Sequence, residues 1–296
     1  MRGTRRTRES AEISLPWHVP LTADGQGGAT VARSRKNDLV VLPTARASYG
    51  VVLLSHGSPD PRARLANDLL SRRVGHRLNA AVSLASLDHD KARLDGAVAH
   101  LQERDISEIV VVPLLLNVAY HATSDVPEQT TQVQVSYPGI KLRVARPVGA
   151  DAILLKGLDA VLKASGFRPN AETGVVLASA GSAYESARAR HAALALEWRS
   201  HGWGGSAVAF ASGPGPRVAD AVQTLRESGL ERIVVAPFVI APGVLSQRIA
   251  TEARAAGAIP VTSTLHSTDA AVDVVCRRVE AALVEEPAPT ITLPRS

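Results

Sequence analysis

The chain has 296 residues, room for two domains at roughly 150 residues each. With 45% hydrophobic and 21% charged residues it can bury real cores, which excludes a disordered or collagen-like polymer. Its single cysteine, Cys276, excludes an internal disulfide framework and any cysteine-cluster metal site, and fits a reducing compartment.

The net charge of +5 is unevenly placed. Residues 1–48 hold eight Arg and Lys against four acids, in a segment rich in Gly, Ser, Thr and Arg with no sustained periodicity. This predicts a disordered basic arm rather than a nucleic-acid module. Aromatic residues total 3%, and nowhere do they interleave with basic ones as in nucleic-acid binders, so no nucleic-acid partner is expected. No run of 18 apolar residues is present, so no membrane-spanning helix is expected. Arg5-Arg6 is not followed by an apolar segment, which argues against a secretory signal and for a cytoplasmic location.

From residue 49 the pattern changes. Val51–Leu54 is a continuous apolar run ended by His56-Gly57-Ser58, the pattern of a strand buried in a parallel sheet. Arg62 to Leu78 reads as a helix with Leu65, Leu69 and Leu78 on its recurring apolar face. A strand over 81–87, a helix over 93–104, a strand over 109–116, a helix near 126–133, a strand at 142–144 and a helix at 152–163 follow. Gly166, Pro169 and Asn170 mark a linker. Strands are then predicted near 175–179, 207–211, 232–238 and 259–262, with helices between them and a last one over 269–283. Residues 286–296, with three prolines, read as a disordered tail.

The second half repeats the first. GVVLLSHGS at 50–58 and GVVLASAGS at 174–182 agree at seven of nine positions, an offset of 124. IVVVP at 109–113 and IVVAP at 233–237 keep the same offset. The expected architecture is therefore α/β: two tandem domains, 49–166 and 167–285, each a parallel β-sheet with helices on both faces. A duplication of this kind implies a monomer holding an intramolecular pseudo-dimer.

Ligands of open parallel sheets bind beyond the carboxyl ends of the strands. Three residues with metal-binding chemistry are predicted there: His56 after the first strand, Asp88 after the second and His121 beyond the third. Two imidazoles and a carboxylate suit a divalent transition metal and leave coordination positions open. Adding 124 leads to Ala180, Ser212 and Leu245, so the second copy keeps the scaffold words without the ligands. The chemistry is expected in the first copy alone. His89 is a spare ligand candidate, His76, His100 and His191 read as surface or partly packed, and Trp198 and Trp203 as core or domain-interface residues.

The words Leu54-Ser55-His56-Gly57-Ser58-Pro59-Asp60-Pro61-Arg62, Ala85-Ser86-Leu87-Asp88, Pro113-Leu114-Leu115-Leu116, Tyr120-His121 and Asp125-Val126-Pro127 resemble the sirohydrochlorin chelatase family. Its members are ATP-independent class II chelatases that insert Fe²⁺ or Co²⁺, or in close relatives Ni²⁺, into a tetrapyrrole on the sirohaem and cobalamin routes. The resemblance spans residues 49 to about 285 and is stronger in the first copy. It implies His56, Asp88 and His121 as metal ligands, His56 and His121 as the catalytic pair, and no ATP or organic cofactor. It implies too that Ser58, Arg62 and Arg64 meet the carboxylate-rich rim of the macrocycle. Three positions depart from the family pattern: Pro59 replaces Arg, Asp88 replaces the usual Glu, and Ala119 replaces Gly. Two other readings of the same residues are a non-catalytic metal or tetrapyrrole carrier and a histidine phosphatase. The second lacks its phosphate-clamping Arg, because Ser55 precedes His56-Gly57.

Overall fold

Apolar, β-branched runs bounded by Gly, Pro and Asn set the strands of a computed structural model, which describes residues 31–33, 39–41, 47–88, 93–117 and 125–285. Residues Met1–Ala45 form a unit of their own. Within it β1 (Val31–Arg33) and β2 (Leu39–Val41) pair as an antiparallel hairpin, where the sequence reading placed no element.

Both repeats fall in the second unit. The first comprises β3 (Tyr49–Ser55), α1 (Pro61–Leu78), β4 (Ala81–Ser86), α2 (Leu94–Gln102), β5 (Glu108–Pro113), α3 (Val126–Ser136), β6 (Lys141–Val144) and α4 (Ile153–Ala164). The second comprises β7 (Thr173–Ser179), α5 (Glu185–Trp198), β8 (Gly205–Phe210), α6 (Val218–Glu227), β9 (Arg232–Pro237), α7 (Val244–Ala255), β10 (Ile259–Pro260) and α8 (Asp269–Val284). Each repeat builds a four-stranded parallel sheet, in the orders β4-β3-β5-β6 and β8-β7-β9-β10. This is the α/β architecture expected from the alternation of buried strands and helices.

Registers repeat to the residue. Gly50 faces Ala81 as Gly174 faces Gly205, and Tyr49 faces Glu108 as Thr173 faces Arg232. The offset of 124 fails after β5. Residues 114–125 separate β5 from α3, whereas only 238–243 separate β9 from α7. Leu245, reached by adding 124 to His121, lies in the first turn of α7 and is not a counterpart of His121. The longer first-repeat connection has no full equivalent in the second.

Side-chain alternation along the strands divides the core. Val52, Leu54, Ile109 and Val111 face a cluster private to the first repeat, and Val176, Ala178, Ile233 and Val235 one private to the second. Their neighbours Val51, Leu53, Val110 and Val112, with Val175, Leu177, Val234 and Ala236, belong to one cluster shared by both repeats. Helix α8, last element of the second repeat, packs on α1, α4, β5 and β6 of the first. Arg73 and Arg77 of α1 pair with Asp269 and Asp273 of α8 at 2.6 and 2.7 Å, and Arg278 reaches Asp151 at 3.0 Å.

The buried face of α1 is Ala63, Ala66, Leu70, Ser71 and Val74. Of the expected face, Leu65 and Leu69 are exposed, at 71% and 45%, while Leu78 is partly buried against the shared cluster. The small residues Ala63, Ala66 and Ser71 share this stripe with Leu70 and Val74, and it is rotated away from Leu65 and Leu69.

Candidate functional site

In each sheet the first strand has the second strand on one side and the third on the other. The crevice beyond the first and third strands is then the topological switch point, where ligands of such sheets bind. The two switch points share one cleft of about 740 Å³. Residues 55–59 after β3 and 114–117 after β5 form one wall, and residues 179–184 after β7 and 238–245 after β9 form the other. Asn117 Nδ2 crosses between the repeats to donate to the Gly181 carbonyl oxygen at 3.0 Å. Opposite, Gly243 approaches Ser58 so closely that a Cβ there would stand 3.2 Å from Ser58 Oγ.

His56 is half-buried and lines the first-repeat wall. Behind it, the Asp88 backbone N–H donates to the His56 carbonyl at 3.0 Å. Gly57, at φ +96°, must be glycine, because a Cβ would overlap the Asp88 carbonyl oxygen. The Asp88 side chain is exposed. It follows β4, on the far side of β3 from the switch point, and is not part of the cleft lining. His121, the third expected ligand, lies outside the described residues, as do His89, Ala119 and Tyr120. Among the described residues no group of three His, Cys, Asp or Glu side chains is arranged to hold a metal ion.

The expected carboxylate-binding residues separate. Ser58 lines the cleft, its Oγ accepting the Asp60 N–H at 3.2 Å in the strand-to-helix turn. Arg62 is held by Asp60, which accepts from Nε at 3.0 Å and Nη2 at 2.6 Å and also caps α1 through the Arg62 N–H. These bonds push the Asp60 carboxyl below its ordinary range. Arg64, two residues on, makes no ion pair among the described residues. It lines a second cavity of about 390 Å³, on the β4 side of the Gly57-Ser58 turn. Asn67, which the sequence reading passed over, lines both cavities.

The second repeat keeps the same backbone without the chemistry. Ser212 N–H donates to the Ala180 carbonyl at 2.9 Å, repeating the bond from Asp88 to His56, and a Cβ on Gly181 would overlap the Ser212 carbonyl oxygen. Its wall of the cleft is largely apolar, with Phe238, Val239, Ile240, Pro242 and Leu245.

The remaining histidines divide. His76 and His100 are exposed, as expected. His191 is instead buried at 1% exposure, with Nδ1 bonded to the Ala187 carbonyl at 2.8 Å and Nε2 without a hydrogen-bond partner among the described residues. Burial pushes its pKa below the ordinary imidazole value. Trp198 and Trp203 are interface residues: both indole N–H groups donate to Asp159 Oδ1 of α4, at 2.8 and 3.1 Å, and His201 bonds Oδ2 of the same carboxylate.

The family model CbiX matches residues 50–165 and, a second time, 174–282. The chain belongs to the CbiX family. The double match follows the duplication, one copy of the family domain per repeat. Over 203 residues this CbiX chain is 21% identical to a sirohydrochlorin cobaltochelatase of Priestia megaterium, covering 67% of the chain and 66% of the relative. Over 133 residues it is 27% identical to a sirohydrochlorin ferrochelatase of Bacillus subtilis (strain 168), covering 45% and 51%. The matches thus span between about half and two thirds of those relatives' length. Among solved structures, SirB from Bacillus subtilis with Fe3+ superposes with a TM-score of 0.69 at 19% identity, over 80% of this CbiX chain and 96% of that one. SirB from Bacillus subtilis subspecies spizizenii in complex with cobalt gives 0.63 at 18%, over 79% and 94%. These likenesses establish a shared fold. No helix among the described residues is long and apolar enough to cross a membrane.

Proposed function

We propose that this chain is a sirohydrochlorin cobalto- or ferrochelatase, a lyase-class enzyme that inserts Co²⁺ or Fe²⁺ into sirohydrochlorin or a related tetrapyrrole. The observation that carries the reading is the cleft itself: an imidazole, His56, on one wall, and a largely apolar wall opposite it from the second repeat. A flat, apolar macrocycle with acidic arms suits such a space, and membership in the CbiX family together with the named activities of its relatives points the same way.

The chemistry asks little of the protein beyond placement. Two pyrrole N–H protons leave the free-base ring as the metal passes from protein to ring nitrogens. A neutral imidazole, with an ordinary pKa of about 6.5, can hold the ion or take a proton near neutrality. His56 and His121 are assigned these roles, and a site of few ligands releases its ion more readily than a closed cage. Asp88 is assigned to completing or orienting the site from the loop behind His56. Ser58, Arg62 and Arg64 are assigned to the acidic rim, although Arg62 would first have to leave Asp60. The metal ion is a substrate; neither ATP nor an organic cofactor is required. A cytoplasmic monomer is the proposed form, its two repeats standing in for two subunits.

The test is direct. Purified protein is mixed with sirohydrochlorin and Co²⁺ or Fe²⁺, and the absorbance change of metal insertion is followed. Acceleration over the spontaneous reaction is expected, and equal rates with and without protein overturn the proposal.

A further inference from the structure

The second cavity of about 390 Å³ has an internal control, because the chain contains the same fold twice. It lies between α1 and the carboxyl ends of β3 and β4, within the stretch where the offset of 124 holds. Ser86 and Asn67 of its lining correspond to Phe210 and His191. In the second repeat these two rings meet edge to face, 6.4 Å between centroids, and are exposed by only 3% and 1%. Arg188, the counterpart of Arg64, is folded back to donate to the Ser182 and Ala183 carbonyls, each at 2.8 Å. The second repeat thus fills the space with rings and ties down its arginine. The first leaves the space open and, among the described residues, ties its arginine to no ion-pair partner.

What remains in the first repeat is a set of polar groups beside the apolar Ala63, Leu65, Leu84 and Ala85. The inner end carries the hydroxyls of Ser55 and the buried Ser86, 3.4 Å apart, and the sides carry the Asn67 amide and Ser58. One carboxylate, Asp68, reaches the lining, and it is already paired with Arg72 at 2.9 Å. Hydroxyl and amide donors with a guanidinium recognise a carboxylate, not a cation. Ser58 and Asn67 line the cleft as well, so a group in the side cavity can be attached to a molecule in the main one.

We propose that this side cavity receives one carboxylate-bearing arm of the macrocycle bound in the cleft, with Arg64 closing over the carboxylate and Asn67 and Ser86 bonding it from within. The inference rests on the chelatase reading and deepens it. It assigns a specificity-determining pocket that the second repeat has lost.

The experiment separates the two claims. Binding of metal-free sirohydrochlorin and of its fully methylated ester is titrated by fluorescence against the parent, Arg64→Gln and the doubly substituted Asn67→His/Ser86→Phe protein, which copies the second repeat. Arg64 is exposed, so its substitution leaves the fold intact, and thermal unfolding checks the double variant. Loss of about tenfold in affinity for the acid, with no change for the ester, is expected for Arg64→Gln. The filled variant is expected to weaken both ligands. Equal behaviour of parent and Arg64→Gln towards the acid overturns the pocket assignment while leaving the chelatase reading in place. A parent that neither binds sirohydrochlorin nor accelerates metal insertion overturns both.

Discussion

The carbonyl oxygen of Asp88 occupies the place where a Cβ of Gly57 would stand, so the loop behind the first strand and the loop carrying the carboxylate are locked together. Gly57→Ala must move one of them, and its φ of +96° adds strain. The second repeat supplies the control, since Gly181 meets the Ser212 carbonyl oxygen in the same way. Both alanine variants are expected to lose roughly 2 kcal/mol or more of stability. Only Gly57→Ala is expected to impair metal insertion, because only its loop carries His56. Denaturant unfolding alongside the insertion assay distinguishes the two effects.

His56→Ala is expected to slow metal insertion by about a hundredfold, the usual yield of a positioned acid–base group. Stability should change little, since His56 is only half-buried at the cleft wall. The reciprocal substitution, Ala180→His, places an imidazole on the opposite wall. It is expected to add no activity, because the loop 238–243 contributes neither a second imidazole nor a carboxylate. A His56→Ala enzyme as fast as the parent would remove His56 from the mechanism.

The repeat was legible because strand registers depend on local apolar runs, and Gly50–Ser58 and Gly174–Ser182 preserve them to the residue. Two things were not legible. The shorter loop before α7 shifts every later element, and no word match extends past Pro237 to reveal it. Which face of a helix is buried is set by the elements packed against it, here β4 and α8, which is why Leu65 and Leu69 misled while Ala63 and Ala66 pack inward. The position of His56 at the cleft was legible from its place after a strand. That Asp88 follows a strand was legible by the same rule; the strand order, which puts β4 on the side of β3 away from the cleft, was not. Asn67 and Asn117 carry no motif and become visible only when the loops are assembled.

A cut at the linker should not yield two folded halves. Val51, Leu53, Val110 and Val112 belong to the shared cluster, and α8, which packs on β5 and β6, comes from the far end of the chain. Each large apolar side chain so uncovered costs roughly 1.5–3 kcal/mol, enough in sum to exceed the stability of a small domain. Residues 46–166 alone are expected to bind a hydrophobic dye and unfold without a cooperative transition, whereas 46–285 should melt as one unit. Replacing Asp159 by Leu should cost about 2–4 kcal/mol in the intact chain, since it strands two indole N–H groups. Calorimetry of the three proteins provides the comparison.

Acid should weaken the fold well before its carboxylates titrate. His191 and His266 are both held below the ordinary imidazole pKa, chiefly by burial, with Arg190 and Arg73 respectively adding to the effect. As pH falls through about 6.5, the unfolded chain takes up protons that the folded chain refuses. The stability these two groups contribute is therefore complete above about pH 6.5 and declines below it, by up to about 1.4 kcal/mol per pH unit for each. The carboxyls of Asp60 and Glu108 are pushed below their usual values by Arg62 and by Arg143 with Lys141. Their contribution is lost only at lower pH, below the ordinary carboxylate range. Urea unfolding between pH 5 and 7 should thus show a slope that His191→Leu reduces, because the substitution removes a group that takes up its proton on unfolding. An unchanged slope in that variant would place the acid sensitivity elsewhere in the chain.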